Sequence, residues 1–127
     1  MKKALIWSLA FLALYTPHLF AEWEAVAATA NGLLTNHIDR TTIRKNNGFV
    51  YYWVLTDYLE PEDGYFSVKN YFKGICSTKM ITLQSSQYFS LPMAKGEPAK
   101  VNNYEGDEWS SITPKSLGDY TMAAVCD

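Results

Sequence analysis

Outside its first 21 residues this 127-residue chain has one histidine, His37, and the whole sequence has two cysteines, Cys76 and Cys126. It contains no G-x-S-x-G, no H-E-x-x-H, no phosphate-binding loop and no paired-cysteine metal spacing. The nucleophile elbow, the helical zinc pair and the glycine-rich phosphate cradle therefore lack their residues. No catalytic residue, metal or cofactor is expected, and His37 is expected to be structural. Two acidic clusters, Glu60, Glu62 and Asp63, and Glu105, Asp107 and Glu108, lack the spacing of an EF-hand loop and read as solvated loop charge. Arg40, Arg44 and Lys45 are expected to flank a hairpin in the same way. Internal repeats, low-complexity tracts and interdomain linkers are also missing, so one small domain is expected.

The one long apolar run lies at the start, MKKALIWSLAFLALYTPHLFAEW. Lys2 and Lys3 form a basic n-region, Ala4 to Leu14 is apolar except for Ser8, Pro17 breaks a helix, and Ala21 is small enough for a cleavage point. This is the pattern of a secretory signal peptide over residues 1–21, too short for a spanning helix. No cysteine stands near the cleavage point, so a lipid-anchored form is not expected. The expected product, residues 22–127, is a soluble protein of the periplasm or the exterior. Without Lys2 and Lys3 the formal charge of −2 becomes −4, which argues against nucleic acid as a partner.

Two cysteines in an exported chain read as one disulfide, Cys76 to Cys126. Between and before them the sequence is dense in strand formers. Phe49 to Tyr58, FVYYWVLTDY, is the clearest strand, preceded by the turn Asn46-Asn47-Gly48. Further strands are expected over Trp23–Ala30, Leu33–Lys45, Tyr65–Cys76, Lys79–Phe89 and Ala99–Tyr104. Loops are expected at Leu59–Gly64 and Leu91–Pro98. Only the tail reads as helix, with Thr113 or Ser116 as cap and Pro114 in the first turn. The expected fold class is α+β, an antiparallel meander followed by one short C-terminal helix packed on one face and tied to it by the disulfide. On a helical wheel either Leu117, Tyr120, Thr121 and Ala124 face the sheet, with the last turn unwound for the disulfide, or Met122, Val125 and Cys126 do.

Alternate strand residues face opposite sides. In Tyr65–Cys76 one side carries Phe66, Val68, Asn70, Phe72 and Cys76, and the other carries Tyr65, Ser67, Lys69, Tyr71 and Lys73. A ten-residue helix covers part of one side only. The other is expected to show Tyr52, Tyr65 and Tyr71 beside Lys69 and Lys73, an aromatic patch with a basic rim suited to a partner.

The order of features is itself distinctive. Trp23 follows the leader, Trp53 to Tyr58 forms W-x-x-x-D-Y, and Ser67 and Lys69 lead to Cys76. A loop with Gly96 then precedes Trp109, Ile112, Pro114 and Ser116, and the chain ends near Val125-Cys126. This set resembles the surface-adhesin protein E-like family of Gram-negative bacteria along the whole of residues 22–127. The resemblance implies a six-stranded antiparallel sheet with a disulfide-tied C-terminal helix, a homodimer and a non-enzymatic role. It also implies binding of host extracellular-matrix or serum proteins, as in the family's founding adhesin. That adhesin is an outer-membrane lipoprotein, whereas no lipidation cysteine is present here. The alternative expectation is a soluble periplasmic envelope protein whose sheet face forms a homodimer or inhibits an enzyme.

Overall fold

Two short turns organise the centre of the molecule. In the computed structural model, which describes residues 21–127, Asn47 and Gly48 both have positive φ (53° and 81°), as do Asp63 and Gly64 (52° and 83°). Paired positive φ values are what a two-residue hairpin turn needs to match the right-handed twist of its strands. The first turn joins β3 (Arg44–Asn46) to β4 (Phe49–Glu62), and the second joins β4 to β5 (Tyr65–Ile75). The leader expected over residues 1–21 lies, except for Ala21, outside the described residues.

Around this hairpin lie β1 (Glu24–Ala28), β2 (Leu34–Ile38), β6 (Met80–Phe89), β7 (Lys100–Asn103), β8 (Ser110–Ser111) and the helix α1 (Leu117–Cys126). Every pairing is antiparallel. The sheet runs β1-β2-β4-β5-β6-β7, the expected six-strand path, with β3 added beside β4 and β8 beside β6. Among the described residues no helix is long and apolar enough to cross a membrane.

Three local departures from the sequence expectation have physical causes. The expected strand Leu33–Lys45 is interrupted because Asp39 accepts hydrogen bonds from the Thr41 N–H (3.0 Å) and hydroxyl (2.6 Å), capping a 3-10 turn at Arg40–Thr42. The expected loop Leu59–Gly64 is mostly strand. Its turn needs only Asp63 and Gly64, so β4 continues to Glu62 through an irregularity after Asp57, where the missing N–H of Pro61 is tolerated. The two-residue strand β8 was too short to carry a periodicity.

The helix is capped by the Ser116 hydroxyl, which accepts the Asp119 N–H at 3.2 Å. It buries Thr121, Met122 and Val125 against the sheet, while Tyr120 is 56% exposed. The buried face thus combines Thr121 of the first wheel arrangement with Met122 and Val125 of the second, and the helix reaches Cys126 without unwinding. Ile38, Val50, Tyr52 and Val54 form the core with Val125, and Phe72 and Cys76 pack beside them. The Thr121 hydroxyl accepts from Asn36 Nδ2 (3.0 Å) and donates to the Leu117 carbonyl (2.7 Å), so the buried polar groups at this contact are paired. A close approach makes this docking possible: a side chain at Gly74 would meet Met122, Val50 and Tyr52 within 3.4 Å. The Cys76–Cys126 disulfide completes the attachment.

Tyr52 is thus placed differently from expectation. It is 2% exposed, because β4 pairs with β5 in the register Tyr52↔Phe72, and directly opposed residues of an antiparallel pair share a face. Phe72 lies on the helix side, so Tyr52 does too. Its phenol pKa is pushed up to about 12 by burial. The opposite face is also less open than expected. Leu55 and Ser67 there are fully buried beneath a 3-10 turn at Pro92–Ala94. The Met93 N–H donates to Asp57 Oδ1 (2.7 Å), the Ala94 N–H donates to Ser67 Oγ (2.9 Å), and that hydroxyl donates to the Leu91 carbonyl (2.6 Å).

Candidate binding surface

Past this strap, the face away from the helix is carried by odd-numbered residues of β4 and β5. Their register, Tyr51↔Lys73, Trp53↔Tyr71 and Leu55↔Lys69, interleaves aromatic rings with two lysines. The Tyr71 ring lies 4.8 Å from that of Trp53 and 6.4 Å from that of Tyr51. Lys69 Nζ sits 4.7 Å from the centroid of Trp53 and 5.8 Å from that of Trp23, which enters from just before β1. Lys73 Nζ sits 4.1 Å from Phe49 and 5.8 Å from both Tyr51 and Trp109. Trp109 precedes β8, packs 6.1 Å from Phe49 and is 37% exposed.

The result is one band holding Trp23, Trp53 and Trp109 around two ammonium groups. Each lysine lies within cation–π range of two or three rings, an attraction of about 0.5–1 kcal/mol per exposed contact. Neither lysine is in an ion pair among the described residues. Burial lowers the Lys69 pKa, and the nearby Asp39 carboxylate opposes that shift in part. The rings restrict where the ammonium groups can point, and both the rings and the cations are half-exposed. Chemically the surface offers flat apolar area with two positioned positive charges and no nucleophile–base pair.

Of the residues expected to form this surface, Lys69, Tyr71 and Lys73 are together on it. Tyr52 is in the core. Tyr65 sits apart at the start of β5, beside the turn to β4, its ring 5.2 Å from Tyr88. Phe49, Tyr51 and Trp53 were within reach of sequence reasoning through strand alternation once the β4–β5 register is known. Trp23 and Trp109 arrive by tertiary contact, for which the sequence carries no local signal. His37 is buried, with Nδ1 3.4 Å from the Leu55 carbonyl. Among the described residues no group of three or more histidine, cysteine or acidic side chains is placed to hold a metal ion.

Comparison with curated protein sequences gives no match. Among solved structures, the chain is similar to crystal form II of Haemophilus influenzae protein E, at 16% identity and a TM-score of 0.57, covering 87% of this chain and 93% of that one. It is also similar to the selenomethionine form of the same protein, at 18% identity and a TM-score of 0.58, covering 87% and 92%. At these identities the likeness establishes a shared fold. The sequence model of the family described as surface-adhesin protein E matches residues 23–127, the whole of the sheet and helix described above. On that match, the chain belongs to the surface-adhesin protein E family.

Proposed function

We propose that this chain is an exported, non-enzymatic binding protein that holds a protein ligand, a host extracellular-matrix or serum component, on its aromatic–lysine face. One observation carries the proposal. Three tryptophans distant in sequence converge with Lys69, Tyr71 and Lys73 on the sheet face that the helix leaves bare. Tryptophan and tyrosine are the side chains most enriched at the energetic centres of protein interfaces, and half-exposed clusters of them are uncommon elsewhere on a soluble surface. The family membership supports the adhesive role, and the leader pattern supports export. A homodimer belongs to the same proposal and is checked by the mass of the protein as its concentration is raised.

The test is binding of the purified protein to immobilised matrix and serum preparations, followed by Tyr71→Ala and Lys69→Ala. Each substitution is expected to weaken binding by about tenfold, the loss of a central interface residue. Unchanged affinity in both would remove this face from the proposal. Protease shaving of intact cells tests display at the surface: complete protection of the protein would count against adhesion.

A further inference from the structure

The helix side of the sheet is only half covered, and what remains is a groove of different character. Between β5, β6 and the segment 103–110 lies a cleft of about 640 Å³ with Phe72, Ile81, Leu83 and Trp109 in its lining. A second hollow of about 310 Å³ shares Phe72 and Ile81 and continues beside Leu117 toward Leu34. The only charged residues lining the two are acidic: Glu105, Asp107 and Glu108 at one end, and Glu62 at the other. None of the four is in an ion pair among the described residues, and they converge on no metal site there.

The acidic arch is held in place at both ends. On one side the Tyr104 N–H donates to the Gln84 carbonyl at 2.9 Å, and Gly106 lies so close on the Gln84 amide that a side chain there would collide with it. On the other side β8 pairs with Met80 and Ile81 of β6. Apolar surface is costly to leave in water, and carboxylates without a cation repel one another across a low-dielectric floor. Both costs fall when a segment with an apolar side and a basic side enters.

We infer that this groove is a second binding site, taking a basic amphipathic segment of a partner protein, with its apolar side on Phe72, Ile81 and Leu83 and its cations at Glu105, Asp107 and Glu108. Such recognition follows the helix-in-groove mode, with charge complementarity setting orientation. The groove floor is on the opposite side of the sheet from the aromatic–lysine face; Trp109, at its rim, is the one residue the two share, and the groove does not depend on that face having a ligand.

The experiment uses the purified protein and a short synthetic peptide with leucine at i, i+3, i+4 and i+7 and lysine elsewhere, beside the same peptide with glutamate for lysine. The lysine peptide is expected to bind saturably, shifting amide resonances of Phe72, Ile81, Leu83 and residues 104–110. The glutamate peptide should not bind. The triple variant Glu105→Gln, Asp107→Asn, Glu108→Gln, all exposed positions, should weaken the lysine peptide by about tenfold or more. Four outcomes overturn the inference: no saturable binding, shifts on the Trp53–Lys73 face instead, equal affinity in the triple variant, or a concentration-dependent doubling of mass that moves the same groove resonances without peptide. The last would assign the groove to a second copy of the chain.

Discussion

The two sides of the β4–β5 ribbon are made from the same residue types. The helix side holds Tyr52 and Phe72, whose rings lie 5.6 Å apart, and the open side holds Trp53 and Tyr71 at 4.8 Å. Yet Tyr52 is in the core with Val125 and Phe72 packs beside it, while the second pair is half-exposed and flanked by two lysines. One step along β4 separates Tyr52 from Trp53. The strand formers that build the sheet also supply its surface, and parity decides whether a ring of this ribbon enters the core or stays half-exposed. Substitutions on the two sides should therefore separate into those that loosen the fold and those that spare it.

The largest effect is expected from the disulfide. Opening a loop of about 50 residues should cost about 4 kcal/mol on a chain-entropy account. Reductant should lower Tm markedly, and an equal Tm with and without it would show that the helix needs no staple.

The second prediction concerns Tyr52. Its phenol titrates near 10 when unfolded and at about 12 when folded. The folded state then holds the proton more tightly, so stability is complete below pH 10 and falls as the pH rises toward 12. The loss is about 3 kcal/mol by linkage. Denaturant unfolding at pH 9 and 11.5 should show it, and Tyr52→Phe should flatten that part of the profile. An equally steep fall in Tyr52→Phe would assign the loss to another group.

Third, Gly74→Ala should cost about 1–2 kcal/mol by pushing Met122 and Tyr52 off the sheet. An unchanged midpoint would mean the helix yields without loss. The smallest effect on stability belongs to the open side. Burial disfavours the charged form of Lys69, so Lys69→Met should leave stability unchanged or slightly raised while weakening ligand binding. A drop of more than about 0.5 kcal/mol would show that Lys69 serves the fold, because surface changes without a structural role usually fall within that range.

Much of this contrast is legible in the sequence. FVYYWVLTDY announces a central strand, Asn47-Gly48 its turn, and Ser116 the helix cap. The alternation within β5 correctly separates Phe72 and Cys76 from Lys69, Tyr71 and Lys73. What it cannot supply is the register of β4 on β5, since both sides of β4 are aromatic and a one-residue slip leaves the pattern equally apolar. That is why Tyr52 was expected on the wrong face. Trp23 and Trp109 reach the band from the ends of unrelated segments, and the strap at Pro92–Ala94 is held by Asp57 and Ser67 through bonds that span 36 and 27 residues. Contacts of that range leave no period or spacing to detect.

The terminal cysteine also bears on how the protein is made. Cys76 directly follows β5, whereas Cys126 closes α1, 50 residues later in the chain. Until it arrives, the strip of Ile38, Val50, Tyr52 and Val54 lacks Val125, and the sequence holds no other thiol with which Cys76 could pair. Oxidation therefore has one intramolecular outcome and needs no reshuffling, and it waits for the helix to be made. The staple marks the moment at which the helix side of the sheet is closed.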